Sequence, residues 1–147
     1  GPDHAQVAAC AGMADYIDAL YAHHVEADAT PVARGRAVHD LMRAQEQSLL
    51  APLLQAVSAR NSVRLIGPSD AALRAPTVAL ALTRPGEEVA AELAAYGIMA
   101  GGGDFYAGRA LDAMGVDAEK GVLRLSFTHY TTAGEVDQLL NALDDVL

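Results

Sequence analysis

The feature that most constrains this chain is a change in the period of its apolar residues near Asn61. Before that point they recur at helical spacing. After it, short stretches with a period of two alternate with further helical stretches. Val7, Cys10, Ala14, Ile17 and Tyr21 predict a first helix over residues 4 to 22. A break from Glu26 to Thr30 follows, and Thr30-Pro31 suits an N-cap with Pro at the first helical position. A long second helix then carries Val38, Leu41, Met42, Leu49, Leu50, Leu53, Leu54 and Val57 on its apolar side. Pro52 is expected to bend it, because it lacks an N–H and crowds the carbonyl four residues back.

Beyond Asn61, residues Val63 to Ile66 read as a strand stopped by Gly67-Pro68. Residues 76 to 82 alternate, with Val78, Leu80 and Leu82 on one face. Arg84-Pro85-Gly86 is a turn, and Glu87 to Tyr96 a helix that Gly97 ends in a left-handed conformation. A short extended piece, Ile98 to Ala100, leads into the run Gly101 to Gly103, read as a flexible loop. Phe105 to Met114 is expected to be helical, with Gly115 as its stop. Val122 to Thr128 is the clearest strand: Leu123, Leu125 and Phe127 share one face, and Arg124, Ser126 and Thr128 the other. Thr132 and Glu135 have capping-box spacing, ahead of a stripe of Val136, Leu139, Leu140, Leu143 and Val146. This order predicts an α+β fold: a small, mostly antiparallel sheet covered on one face by helices and preceded by two long N-terminal helices. Residues 1–60 form the helical segment in this reading, and residues 61–147 the α+β domain.

Composition excludes several roles. A formal net charge of -9 is the wrong sign for nucleic acid or anionic lipid. No apolar run is long enough to span a bilayer, and no secretory signal pattern is present. With 5% aromatic residues and no Trp, Ala, Leu and Val must fill most of the core. Cys10 is the only cysteine, so no internal disulfide forms. Its Ala-rich surroundings suggest a small buried thiol in a reducing compartment, the cytoplasm.

Few residues have the setting that chemistry needs. Arg124 lies on the strand face opposite Leu123 and Leu125, pointing away from the expected core. It stands there either as a planar fork for a carboxylate or as a solvated or salt-bridged surface arginine. The glycine run precedes a helical pattern, a place where backbone N–H groups hold phosphates, but Asp104 puts a negative charge there. Among His4, His23, His24, His39 and His129 no pair has metal-ligand spacing, so no metal is expected. His23 and His24 are read as exposed, on different sides of the helix. Lys120 is the only lysine and sits beside Glu119 in a polar loop. That is the opposite of the burial or cationic neighbour that activates an amine.

The last strand and helix, "GVLRLSFTHYTTAGEVDQLLNAL", resemble the C-terminal signature of class V aminotransferases and cysteine desulfurases, pyridoxal-phosphate enzymes of fold type I. The matching residues are Arg124, Ser126, Tyr130, Thr132, Glu135, Val136 and Asp137. "LLAPLLQAVSARNSVRLIGP", "RAPTVALAL" and "LAAYGIMAGGGDFYA" fit the same small domain in order, and "GPDHAQVAACAGMADYIDALYAHH" resembles the helix after the cofactor-lysine region. The resemblance implies a homodimeric enzyme acting on a small amino acid. Its large domain, outside these residues, would carry pyridoxal phosphate on a lysine. It implies that Arg124 binds the substrate α-carboxylate, and that the segment from Gly1 to His4 matches a loop approaching the cofactor phosphate of the neighbouring subunit.

Two departures bear on the reaction. Tyr106 stands where cysteine desulfurases carry their catalytic cysteine, and Thr131 replaces the usual Asn of the Tyr-Asn-Thr signature. No persulfide can form on that loop, and Cys10 lies in the wrong segment to replace it. The resemblance therefore implies transaminase, lyase or epimerase chemistry in the complete enzyme, with this chain inactive alone and no catalytic residue of its own. A stand-alone amino-acid-binding module and a dimerisation module built on the first two helices are the alternatives.

Overall fold

The computed structural model describes residues 1, 3–25 and 27–147. Pro2 and Glu26, the residue that opens the expected break, lie outside the described residues. Two compact units are present, Gly1–Gln45 and Glu46–Leu147. Helix α1 spans His4–His24 and helix α2 spans Pro31–Ser58, with Pro52 inside it. The second unit continues with β1 (Val63–Ile66), β2 (Thr77–Leu82), α3 (Gly86–Ala94), β3 (Gly101–Gly103), α4 (Gly108–Ala113), β4 (Val122–Ser126) and α5 (Ala133–Val146).

In the first unit, α1 begins where the Asp3 carboxylate accepts hydrogen bonds from the Ala5 and Gln6 N–H groups, at 3.0 and 3.3 Å. Asp18 pairs with Arg34 at 3.1 Å, and Tyr21 is buried with its hydroxyl donating to the Ala27 carbonyl. Of the five residues that suggested an apolar stripe on α1, only Tyr21 is buried. Cys10 is exposed, not buried, and its thiol contacts the Gln6 carbonyl at 3.5 Å. Val7 and Met13 are also exposed, so the helical period of α1 does not bury an apolar face among the described residues. His23 and His24 are exposed as expected, but their rings meet edge to face with centroids 4.7 Å apart instead of pointing to separate sides.

In the second unit the four strands lie in the order β1-β2-β4-β3, each antiparallel to its neighbour. Strand β4 thus inserts between β2 and β3, which α3 connects as a split βαβ unit. Val78 and Leu80 of β2 and Leu123 and Leu125 of β4 point to one face. Against them pack Leu50, Leu53, Leu54 and Val57 of α2, Val89 and Leu93 of α3, and Leu139, Ala142 and Leu143 of α5. This is the main core, and the sheet and helices it joins are those the alternating pattern predicts. A smaller cluster of Leu111, Val116 and Val122, with Ile66, Ala79, Ala81 and Phe105 packed on it, lies on part of the other face.

The glycine run is a strand and not a loop. Gly101, Gly102 and Gly103 pair with Arg124, Leu123 and Val122 of β4. Its lack of side chains lets α3 rest on the strand's backbone. A Cβ at Gly102 would lie 2.2 Å from the Glu87 nitrogen and 2.3 Å from the Gly86 carbonyl carbon. One at Gly86 would lie 2.4 Å from the Val122 carbonyl. Gly121, at φ +61, completes the contact, since a Cβ there would meet the Gly103 carbonyl carbon at 2.4 Å. The first turn of α3 therefore lies directly on the paired strands β3 and β4, backbone against backbone.

Side chains secure the connections. Arg74, half-buried in the β1–β2 connection, donates to the carbonyls of Pro68 (2.6 Å), Ile66 (3.3 Å) and Thr77 (2.8 Å). Burial lowers its pKa from the ordinary arginine value. Arg84 forks onto both Glu92 oxygens at 2.5 Å and donates to the Val146 carbonyl at 2.9 Å, tying the turn before α3 to the end of α5. The capping box is formed: the Glu135 N–H donates to Thr132 Oγ1 at 3.2 Å, and the Thr132 N–H donates to Glu135 Oε2 at 2.7 Å. Helix α4 starts at Gly108, later than expected, because Phe105 and Tyr106 adopt left-handed φ values of 51° and 59°.

Gly102→Ala is expected to cost about 3 kcal/mol or more, because backbone atoms cannot yield as a side-chain tip can. Gly35→Ala, inside α2 with nothing within 4 Å of the new Cβ, should instead stabilise by about 0.5–1 kcal/mol. Urea unfolding reads both, and a Gly102→Ala protein as stable as wild type would refute this backbone contact. At the capping box, Thr132→Ala should cost about 1 kcal/mol at neutral pH. Hydrogen bonds from the Thr132 backbone and hydroxyl hold the Glu135 carboxyl below its ordinary pKa. The carboxylate's contribution is thus complete above the ordinary value and lost as pH falls through the depressed one. Thermal melts should show the deficit of Glu135→Gln at neutral pH disappearing in acid.

Candidate functional site

Strand β4 is central in the sheet, and its period of two sends Arg124 to the face opposite the main core. There Arg124 is exposed, with Gly101 of β3 opposite it on one side and Ala79 of β2 on the other. The two cross-strand neighbours are small, so the guanidinium rises from a low floor. Its Cζ lies 3.9 Å from the centroid of the Phe105 ring. Further along the same face, the Ser126 and Thr77 hydroxyls are 3.2 Å apart. No ion pair to Arg124 is present among the described residues. The electrostatic character of this patch is therefore one positive planar fork against an aromatic face, with hydroxyls beside it.

The residues singled out in the sequence are only partly brought together. Arg124 and Ser126 share the face, but Thr128 lies beyond the end of β4. Its N–H donates to Thr131 Oγ1 at 3.2 Å, while its own Oγ1 is buried without a hydrogen-bond partner. Thr131 thus closes the turn leading to α5. Gly1 and His4 belong to the first unit and Arg124 to the second; both Gly1 and His4 are exposed. Tyr106 is fully exposed at the tip of the connection after β3, where its N–H donates to Asp104 Oδ1 at 3.1 Å. Lys120 is exposed, and its Nζ donates to the Thr83 carbonyl at 3.3 Å. No group of three or more metal-ligating side chains occurs among the described residues.

Phe105 is the site residue that sequence reasoning missed. The apolar pattern places it inside a helix, whereas its left-handed backbone turns the ring back over Gly101 and Arg124. Two successive aromatic residues at positive φ have no sequence signature, because side chains with a Cβ rarely adopt that conformation. A separate open groove of about 290 Å³, bordered by Met99, Phe127, Thr131 and Gln138, does not include Arg124.

Comparison with known proteins agrees with this architecture. The model of the family "Aminotransferase class-V" matches residues 36–139. The cysteine desulfurase CsdA of Escherichia coli superposes with a TM-score of 0.59 at 25% identity, over 82% of this chain and 32% of that one. A cysteine desulfurase from Thermococcus onnurineus superposes with a TM-score of 0.65 at 23% identity, over 78% of this chain and 29% of that one. A NifS-like protein from Rickettsia africae gives 0.62 at 16% identity, over 79% and 32%. This chain therefore spans about a third of the length of these solved relatives. No curated protein matches it in sequence. With the family match covering well over half of its residues, the chain belongs to the class-V aminotransferase family.

Proposed function

We propose that this chain is the C-terminal small domain of a pyridoxal-phosphate-dependent amino-acid enzyme, and that Arg124 binds the substrate α-carboxylate as the domain closes over the active site. The observation that carries this reading is an exposed guanidinium on the central strand, on the sheet face away from the main core and free of any ion pair among the described residues. A buried or salt-bridged arginine would have its donors committed. This one keeps its fork for a planar anion.

Pyridoxal phosphate supplies the electron sink in full-length members of the family. The residues of this chain do not fit that group as its anchor. Lys120 is the only lysine, and it is exposed, with its ammonium committed to the Thr83 carbonyl. The cofactor in this reading belongs to a large domain outside these 147 residues. Residues 1–60 link to that domain, residues 61–147 form the closing lobe with the end of α2 packed into its core, and the complete enzyme is a cytoplasmic homodimer. The segment from Gly1 to His4, of which Gly1, Asp3 and His4 are exposed, approaches the cofactor phosphate of the neighbouring subunit.

Tyr106 argues against desulfuration by a loop thiol. Its phenol occupies the tip of the connection after β3, and Cys10 belongs to the other compact unit. The complete enzyme then carries out transaminase, lyase or epimerase chemistry on a small amino acid, and the isolated chain is inactive.

Two measurements test the reading. Mixed with pyridoxal phosphate, the isolated chain should develop no stoichiometric lysine-linked absorption band; a band that vanishes in Lys120→Ala would overturn it. In the enzyme that contains this chain, Arg124→Ala should lower kcat/KM for the amino acid roughly 100-fold or more, since two charge-assisted hydrogen bonds of about 1.5–3 kcal/mol each are lost. Arg124→Lys should recover only part, because an ammonium cannot reproduce the fork. Wild-type kinetics in Arg124→Ala would sink the assignment.

A further inference from the structure

We propose that Phe105 is a positioning residue for Arg124: its ring holds the guanidinium over Gly101 and presents the edge of the fork to an incoming carboxylate. The inference deepens the carboxylate-binding reading of Arg124 and rests on it. An exposed arginine has several freely rotating bonds, so its fork is disordered unless something fixes it. Here the Cζ atom lies 3.9 Å from the Phe105 centroid, within contact of the ring face. A cation is attracted to that face by the ring quadrupole. Stacking of this kind covers a face of the guanidinium and leaves its N–H edges, the part that binds carboxylate, uncovered.

The surrounding geometry serves the same end. Phe105 sits at φ 51°, a conformation a non-glycine residue adopts only against a steric penalty, and it turns the ring back onto the sheet. The loop that holds it there is short and internally bonded. Asp104 accepts from the Tyr106 N–H through its side chain and from the Ala107 N–H (2.8 Å) through its carbonyl. The ring also packs against the small cluster of Leu111, Val116 and Val122, which fixes its position. Below it, Gly101 leaves the needed space: a Cβ there would lie 3.1 Å from Phe105 Cζ and 3.9 Å from Arg124 Nη2. A side chain at Gly101 would therefore displace the ring before it reached the arginine.

The test uses the isolated chain, with nitrogen-15 relaxation at Arg124 Nε and titration with acetate as the probe. Arg36, which is exposed, serves as the internal reference. In wild type the Arg124 Nε order parameter should approach that of rigid backbone, about 0.85, well above Arg36. Phe105→Leu keeps an apolar side chain in the small cluster but removes the quadrupole, and the order parameter should fall below about 0.6. Phe105→Trp should retain the order. Unchanged β4 amide shifts establish that each variant is folded. Acetate affinity at Arg124 should weaken on the order of tenfold in Phe105→Leu and recover in Phe105→Trp.

An Arg124 Nε as mobile as that of Arg36 in wild type, or unchanged order in a folded Phe105→Leu, overturns the positioning role. Equal acetate affinity in wild type and Phe105→Leu overturns it too, while leaving carboxylate binding by Arg124 intact. If acetate leaves the Arg124 signals unmoved in wild type, the carboxylate reading fails. The relaxation comparison still decides whether Phe105 orders the guanidinium.

Discussion

The contact on which the second unit depends is backbone against backbone, where α3 lies across the paired strands β3 and β4. Gly86, Gly102 and Gly121 each lack a side chain where a Cβ would overlap main-chain atoms. Close approach there seats the three-residue strand β3 beside β4, and so brings Gly101 opposite Arg124. Leu123 and Leu125 anchor β4 on that same face, against α2, α3 and α5. The position of the guanidinium is thus settled by two unlike forces. Dispersion and apolar burial hold one face of the strand, and the absence of side chains shapes its edge.

Much of this was legible in the residues. The alternation from Val122 onward is unambiguous because one face of β4 is wholly apolar, and the register of Arg124 follows from it. The capping box at Thr132 and Glu135 is equally readable, since it satisfies two specific backbone donors. Gly97 and Gly115 end their helices at positive φ, as their places in the pattern suggest.

What was not legible has identifiable causes. The run Gly101–Gly103 reads as loop because glycine has no strand preference; it becomes strand only because α3 must lie on it. Phe105 reads as helical from apolar spacing, yet the turn fixed by Asp104 places it in a left-handed conformation. Val7, Cys10 and Ala14, which are exposed, read with Tyr21 as one apolar face because helical period reports amphipathicity without saying what covers it. The site was therefore half visible: the charged group was, and the aromatic surface it rests on was not.

The shortness of β3 carries a consequence of another kind. Sheet edges are templates on which a second molecule can add a strand, and long, flat, apolar edges begin fibrils. At this edge only three residues offer hydrogen bonds, all of them glycine, and Gly103 turns away at φ +127. The opposite edge, β1, is four residues long and carries Arg64, whose guanidinium donates to the carbonyls of Met114 and Gly115 at 2.5 and 3.2 Å. Both margins are thus short templates for a neighbouring copy, and at β3 the glycines that limit the edge include Gly102, which lets the helix approach the sheet.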